Sequence, residues 1–264
     1  MSEREVSSFW DHLDVLRKVL FRCLTAWAIA AIAAFCFKDV LFSLLFAPST
    51  DDFVSYRLMA RLCEKTGWQS LCPGSFEAQF INTELAAQFM THIKVALWAG
   101  LVVASPYLIV QLYGFVAPAL YDNEKRHAAP IILWSSLLFL LGVLINYFII
   151  FPFAFRFLNK YQVYAAVHNQ ISLSSYISNL LMLSLLMGIL FELPIVNYLL
   201  AKAGLLQADT LKKYRRHAIV GIAIVAAIIT PTGDAVTLAL VTLPIYLLYE
   251  ASIHIVKRTN SKTT

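Results

Sequence analysis

The sequence has little charge for its length. Only 14% of its 264 residues are Asp, Glu, Lys or Arg, whereas 59% are hydrophobic and the mean hydropathy is +0.69. A soluble globular domain carries nearer a quarter of charged residues. The composition therefore excludes an ordinary soluble domain and indicates a chain that is solvated mainly by lipid.

Motifs that carry catalysis or hold metals and cofactors are also missing. The sequence contains no metal-ligand spacing, no glycine-rich phosphate loop and no nucleophile elbow. It shows no internal repeat of the kind that secondary transporters have. Two alternatives stay open on the residues alone, namely an ion-coupled transporter with Glu192 as proton carrier and an intramembrane enzyme.

The N-terminus lacks the early apolar core of a cleavable signal peptide, because about eighteen mixed polar and charged residues come first. Within the segment MSEREVSSFWDHLDVLRKVL, Phe9, Leu13, Leu16 and Leu20 recur at helical spacing. Charged residues occupy the other faces. The pattern predicts an amphipathic helix that lies on the membrane before the first span.

Long uncharged runs are what the sequence does have. The runs 95–121, 128–155 and 161–191 each reach the roughly 20 residues that a membrane-spanning helix needs. We predict an all-α polytopic membrane protein with one domain, 1–264, and six spans at about 19–37, 92–116, 128–151, 176–201, 214–230 and 235–254. The fifth and sixth are predicted to be short, since Thr230-Pro231-Thr232-Gly233 breaks the chain between them.

The distribution of Lys and Arg predicts the orientation. Six spans place both termini on one side, and that side carries fourteen of the 21 Lys and Arg residues. The positive-inside rule then predicts cytoplasmic termini. The net charge of +5 reflects this orientation and does not indicate nucleic acid.

The longest segment between predicted spans, about 38–91, is expected outside and contains Cys63 and Cys72. In an oxidising compartment these two cysteines could close a small loop, whereas a reducing habitat would leave them as thiols. Cys23 and Cys36 fall in the first span, where a cysteine packs as a small apolar residue.

The loop FVAPALYDNEKRHAAP, 115–130, combines Asp122 and Glu124 with basic neighbours. One interpretation is a solvated turn. The other is a receptor for a basic ligand, because a carboxylate facing Arg makes a charge-assisted, often bidentate hydrogen bond. Asp11 and Asp14 of the amphipathic helix could join the same acidic spot.

Glu192 is the one charged residue in the apolar run 184–201. A charge at the centre of a bilayer costs about 2.5–3.5 kcal/mol. Glu192 is therefore protonated, paired with a buried polar group, bonded to a carbonyl freed by Pro194, or functional. Asp234, in the turn before the sixth span, is interpreted as an N-cap.

Seven motifs then occur in the order of one known family. They are HLDVLR (12–17), SPYLIVQLYGFVAPALYDNEKR (105–126), NYFIIFPFAFRFL (146–158), FELPIV (191–196), KKYRRHAIVG (212–221), TPTGDAVT (230–237) and LPIYLLYE (243–250). Over residues 9 to 256 the chain resembles TatC, the signal-peptide receptor and core subunit of the twin-arginine protein translocase.

The resemblance implies six helices in a cupped bundle in the bacterial cytoplasmic membrane. It implies transport of folded proteins by the proton motive force, without an enzymatic site or a cofactor. The implied partners are twin-arginine signal peptides, single-span TatA/TatB-type subunits, the lipid bilayer and further copies of the chain.

The resemblance also implies which residues bind the signal peptide. Glu124 is the principal arginine-binding carboxylate, and Phe115, Pro118 and Tyr121 flank it. Leu16 and Arg17 match the N-terminal motif. The glutamate of that motif falls at Val15 here, and a one-residue offset turns the neighbouring Asp14 by about 100° on a helix. Asp14 is one replacement, Asp11 another, and a weaker second arginine site a third.

For partner contact and transport, the resemblance implies that Glu192 meets a polar residue of a TatA- or TatB-type helix. Thr230 and Asp234 match polar positions of the region where TatB docks, although a further position of that cluster falls at Leu238. Pro48 and Pro106 match family prolines, and Pro106 is expected to begin a kink in the second span.

Overall fold

The computed structural model describes residues 3–66, 78–116, 128–161, 164, 169–230 and 234–263. Eleven helices lie within these residues: α1 (Glu3–Cys36), α2 (Lys38–Phe46), α3 (Val54–Thr66), α4 (Ala87–Val116), α5 (Ala128–Ile145), α6 (Phe151–Lys160), α7 (Leu173–Leu190), α8 (Leu193–Lys202), α9 (Ala208–Lys213), α10 (Arg215–Ile229) and α11 (Ala235–Thr263). A π-helical segment, Asn146–Ile150, joins α5 to α6. Two short strands, β1 (Phe80–Ile81) and β2 (Ile171–Ser172), pair in parallel.

Five segments are long and apolar enough to cross a membrane: Leu13–Cys36, Ala87–Phe115, Ala129–Lys160, Leu173–Lys202 and Ala235–Asn260. They correspond to the predicted first, second, third, fourth and sixth spans. The predicted fifth span coincides with α10, which has 15 residues. At 1.5 Å per residue α10 is about 22 Å long, against a hydrocarbon core of roughly 30 Å.

Two predictions about helix bounds differ from the structure. The sixth span is not short, because α11 has 29 residues and continues through Pro244 into the polar C-terminal segment. Apolar surroundings strongly favour an intact helical hydrogen-bond ladder on both sides of such a proline. The expected amphipathic helix is not a separate element either. No Gly or Pro interrupts residues 3–36, and α1 is one helix of 34 residues.

The chain forms two compact units, each described here by itself. The first contains Met1–Lys38 and His92–Leu137. In it α1 and α4 approach closely, since a Cβ at Gly100 would lie 2.5 Å from the backbone nitrogen of Ala31. The indole N–H of Trp27 donates to the carbonyl of Leu97 at 2.8 Å. A small residue and a side-chain hydrogen bond thus hold this helix pair together.

The second unit contains Asp39–Thr91 and Leu138–Thr264. A close contact in it joins the end of α5 to α7, where a Cβ at Gly142 would lie 2.5 Å from the carbonyl oxygen of Met187. One turn further, the side-chain amide of Asn146 donates to the hydroxyl of Ser184 at 2.8 Å. Small residues that allow close backbone approach, with polar groups bonded across, are typical of helices packed in lipid.

Hydroxyl groups bond to the carbonyls that two prolines leave without an amide donor. Helix α4 continues through Pro106, and Ser105 Oγ donates to the carbonyl of Val102 at 2.8 Å. In the same way the hydroxyl of Ser55 donates to the carbonyl of Phe148, four residues before Pro152. A neighbouring hydroxyl makes an intrahelical proline tolerable inside a membrane bundle.

Five rings of the second unit, the aromatic cluster, pack near the start of α7: Phe46, Phe80, Phe151, Phe155 and Tyr176. Tyr176 lies at its centre, 2% exposed. Its ring centroid is 4.9 Å from that of Phe155 and 5.1 Å from that of Phe151, and its hydroxyl donates to the carbonyl of Leu45 at 2.9 Å. This cluster holds β1, α2, α6 and α7 against one another.

Candidate functional site

Most of the predicted arginine-binding site falls outside the described residues: Pro118, Tyr121 and Glu124. Phe115, in the last turn of α4, is half-buried. Of these four residues, the described part of the chain therefore includes only Phe115.

The N-terminal motif lies on an exposed part of α1. Asp14, Leu16 and Arg17 are all exposed, and so is Val15 at the position of the family glutamate. The Arg17 guanidinium lies 5.7 Å from the centre of the Phe21 ring. Asp14 shares a shallow depression with Arg17, Lys18 and Arg22, so its carboxylate has three cations of the same helix as neighbours.

Glu192 lies in a break between α7 and α8. The break follows from Pro194, which has no N–H for the carbonyl of Leu190. The backbone bonds rearrange accordingly: the N–H of Glu192 donates to Ile189 at 3.1 Å, and the Glu192 carbonyl accepts from Ile195 and Val196, both at 3.0 Å. The sequence places Glu192 in one continuous span; the structure places it at a joint between two helices.

The Glu192 carboxyl lies next to the close contact between α5 and α7. Its side chain is half-buried, with Oε1 enclosed. The preceding residue, Phe191, is 3% exposed, and its ring lies 2.9 Å from where a Cβ at Gly142 would be. The contact between α5 and α7 therefore fixes the position from which the carboxyl projects.

Thr230 and Asp234 end one helix and begin the next. The hydroxyl and the N–H of Thr230 both donate to the carbonyl of Ala226, at 2.9 and 2.8 Å. A carboxylate oxygen of Asp234 accepts the N–H of Thr237 at 2.7 Å. This geometry confirms the interpretation of Asp234 as the N-cap of α11 and gives Thr230 the matching role at the end of α10.

Glu250 takes part in an ion pair that the sequence did not single out. The Arg215 guanidinium lies 2.6 Å from one carboxylate oxygen of Glu250, and the Tyr246 hydroxyl donates to the other at 3.0 Å. The pair joins the start of α10 to α11. Its only sequence signal was a glutamate at the end of the LPIYLLYE motif.

Pro48 lies in a buried contact around Tyr56. The Tyr56 hydroxyl is 3.1 Å from the carbonyl oxygen of Pro48 and 2.9 Å from that of Pro152. The guanidinium of Arg156, a residue only 7% exposed, lies 4.9 Å from the centre of the Tyr56 ring. Burial raises the pKa of Tyr56 to about 12, Arg156 lowers it and Asp51 raises it, so the hydroxyl stays protonated at neutral pH.

The described cysteines are in two states. Cys63, on α3, is disulfide-bonded, whereas Cys23 and Cys36 are free. Cys72 lies outside the described residues, so its pairing with Cys63 stays a prediction.

Comparison with known proteins identifies the family. The family model for Sec-independent protein translocase protein TatC matches residues 11–244. Curated proteins of that name are similar along the whole chain. The one from Blattabacterium sp. subsp. Periplaneta americana is 35% identical over 96% of this chain and 96% of its own length. That from Escherichia coli is 30% identical over 96% and 89%. The chain belongs to the TatC family.

A solved TatC structure agrees with the fold. A crystal structure of the twin-arginine translocase receptor TatC is 34% identical to this chain and superposes with a TM-score of 0.74, covering 94% of this chain and 99% of the other. TatC is a subunit of a protein translocase in the membrane and is not an enzyme. The intramembrane enzyme and the ion-coupled transporter with Glu192 as proton carrier are therefore wrong as function classes.

Proposed function

We propose that this protein is the receptor and core subunit of a twin-arginine translocase. It binds twin-arginine signal peptides at its cytoplasmic face, recruits single-span TatA/TatB-type subunits and moves folded proteins with the proton motive force. The similarity to the solved twin-arginine translocase receptor over 94% of the chain is the observation that carries this proposal.

The proposed topology has six spans in a single cupped domain, with both termini in the cytoplasm of a bacterium. The short α10 is its fifth span, and the amphipathic first turns of α1 lie at the cytoplasmic surface. The bias of Lys and Arg toward that side supports this orientation. Five apolar helices of membrane-spanning length support the rest.

Recognition of the signal peptide is proposed to divide into a specific and a non-specific part. Glu124, flanked by Phe115, Pro118 and Tyr121, grips an arginine whose planar fork can form two bonds, which lysine cannot. An exposed ion pair contributes only about 0–1 kcal/mol. Burial of the peptide's apolar segment, at about 25 cal/mol per Å², supplies the remaining affinity.

Leu16, Arg17 and Asp14 are the proposed second part of this receptor surface. Asp14 takes the place of the family glutamate in this proposal, and it shares a depression on α1 with three cations. Leu16 is 41% exposed and so offers an apolar contact for the peptide.

Photo-crosslinking tests the receptor function. A photoreactive twin-arginine signal peptide should crosslink to this chain in membranes at least tenfold more than its twin-lysine version, since only arginine forms the bidentate bond. Glu124→Gln should abolish this preference and the export of substrates while the protein still accumulates. Glu84→Gln removes an exposed carboxylate elsewhere and is the matched control. Equal crosslinking of both peptides to the wild type would overturn the proposal.

Glu192 is proposed to receive a polar side chain of a TatA- or TatB-type helix. Its half-buried carboxyl projects from a joint held by close packing, and a polar residue of a partner helix gains a hydrogen bond in lipid by meeting it. Thr230 and Asp234, which hold the end of α10 and the start of α11, are proposed to belong to the region where a TatB-type subunit docks. Pro48 and Pro106 are proposed to be needed for transport.

Crosslinking from position 192 tests the partner contact. Glu192→Ala should reduce recruitment of the single-span subunit during transport and spare signal-peptide binding, whereas Glu192→Gln keeps a hydrogen bond and should retain part of the recruitment. Crosslinks to lipid alone, with and without substrate, would contradict the assignment. We also propose that the complex holds more than one copy of this chain and that Cys63 pairs with Cys72.

A further inference from the structure

A pocket opens in the second unit beside the aromatic cluster. Its volume is about 510 Å³, and it is lined by residues of α6, of the segment 169–172, of α7 and of the first turn of α11. Ligand pockets in proteins typically have volumes of about 300–1,000 Å³. Glu192 is not among its described lining residues.

Amide and hydroxyl side chains form the polar part of the lining. They include Asn159, Gln170, Ser175, Asn179 and Thr237, and none of the lining residues within the described ranges is charged. Amides and hydroxyls can each donate and accept hydrogen bonds. A lining of this kind matches a neutral ligand that does both.

Thr237 supplies an independent sign of a ligand. The residue is only 1% exposed, and its hydroxyl is buried without a hydrogen-bond partner among the described residues. Its N–H is already bonded to Asp234. Buried polar groups are bonded to protein or water in the great majority of cases, so the Thr237 hydroxyl is available to bond to a group that enters the pocket.

The apolar part of the lining is closely packed. Phe151, Phe155 and Tyr176 of the aromatic cluster line the pocket and are 3%, 8% and 2% exposed. Asn169 closes the end of α6, since its amide donates to the carbonyls of Asn159 and Tyr161 at 3.1 and 3.0 Å. A ligand would therefore meet a preformed site.

The depth of the pocket suits the boundary between membrane and water. Asn179 and Leu183 line it from six and ten residues after the start of α7. At 1.5 Å per residue they lie about 9 and 15 Å along the helix. The pocket thus extends from the helix ends toward the hydrocarbon region, where a lipid headgroup or a small solute could enter.

We propose that this pocket binds a sugar, either as the headgroup of a glycolipid or as a free molecule. A sugar carries several hydroxyls that bond to amides and to the Thr237 hydroxyl, and its C–H face packs on apolar walls. A phosphate would meet no Lys or Arg among the described lining residues, although cations are its usual partners. The proposal does not depend on twin-arginine recognition.

The test uses the full chain in phosphatidylcholine nanodiscs that contain a minor fraction of monoglucosyl diacylglycerol. Native mass spectrometry should find glycolipid retained on the protein about tenfold more than phosphatidylglycerol supplied at the same fraction. Retention of the two lipids in equal amounts would count against a glycolipid source.

Thr237→Val keeps the side-chain volume and removes the hydroxyl, and it should lower glycolipid retention about fivefold. Thr242→Val is the matched control, because the Thr242 hydroxyl on the same helix is also buried without a partner and does not line the pocket. If the valine variant at 237 fails to accumulate, Thr237→Ser should retain the glycolipid and Asn179→Leu should lose it. Unchanged retention in the pocket variants would exclude this pocket as the site.

The free-sugar source is tested with methyl β-glucoside in nanodiscs of phosphatidylcholine alone, by saturation-transfer NMR. A saturation-transfer signal that is lost in Thr237→Val and kept in Thr242→Val supports a soluble sugar. Selective retention of the glycolipid without such a signal supports a lipid headgroup. Absence of both in the wild-type protein overturns the proposal.

Discussion

Helices α7 and α10 belong to the same unit and are both apolar, but they are packed very differently. Eight of the 18 residues of α7 are buried, whereas α10 buries only Ala226 and Ile229 among 15. Helix α7 presents small and polar residues to α5. Helix α10 leaves Val220, Ile224 and Ile228 from 56% to 75% exposed. The α5–α7 contact thus stabilises the chain itself, while the surface of α10 is free to meet lipid or a partner helix.

The largest effect is expected from a side chain added at Gly142, where the backbones of α5 and α7 lie close together. Gly142→Leu would place atoms where the Met187 carbonyl already lies, 2.5 Å from a Cβ, so α5 and α7 cannot pack as they do. The variant should fail to accumulate as folded protein in membranes. Gly221→Leu is the matched control on α10, where a Cβ meets nothing within 4 Å, and it should accumulate at the wild-type level. Equal accumulation of both variants would contradict the comparison.

Replacing one isoleucine on each helix by alanine compares how much their packing contributes to the free energy of unfolding. Ile177 on α7 is 0% exposed and Ile224 on α10 is 56% exposed. Ile177→Ala should lower the free energy of unfolding by about 2 kcal/mol, less than in most soluble cores because lipid solvates the separated helix well. Ile224→Ala should change it by under about 0.5 kcal/mol. Reversible unfolding in mixed micelles measures both values, and similar losses would show that α10 is packed after all.

The hydrogen bond between Asn146 of the π-helical segment and Ser184 of α7 should contribute less to the free energy of unfolding. Ser184→Ala removes the hydroxyl that Asn146 bonds at 2.8 Å and should cost about 1 kcal/mol, since hydrogen bonds between membrane helices contribute modestly. A double-mutant cycle with Asn146→Leu isolates the pair. A coupling energy of zero would mean that the close backbone approach alone holds α5 to α7.

The smallest effect is expected at the ion pair that attaches α10 to α11. Arg215→Gln should lower the free energy of unfolding by less than about 1 kcal/mol, because the Arg215 side chain is 45% exposed and salt screens such pairs. The loss should shrink further at high salt. A loss of several kcal/mol, independent of salt, would show that α10 depends on this pair instead of on apolar contact.

Much of this fold could be predicted because apolar run length and turn residues act locally. Helices of spanning length and apolarity are confirmed at the first, second, third, fourth and sixth predicted spans. The N-cap role of Asp234 follows from its place before α11. The prediction of a short sixth span is wrong, since α11 continues beyond the predicted end at 254 to Thr263. No Gly or Pro follows Pro244 within this helix to end it.

Only part of the candidate site could be predicted from the sequence. Glu192 stands out in sequence because it is the one charge in an apolar run, but its position at a helix joint depends on Pro194 and on packing against α5. The contacts of Tyr56 with Pro48, Pro152 and Arg156 had no signal of their own. They join residues up to about a hundred positions apart, and no local pattern encodes such pairing.

Run length and charge placement alone were enough to predict a helical membrane protein and the order of its spans, because lipid accepts only helices of sufficient length and few charges. Packing decided which helices touch. Gly142 meets Met187 while Gly221 meets nothing, although both are single glycines in apolar helices. The difference arises from the approach of a second backbone, which is a property of the folded chain and of no segment by itself.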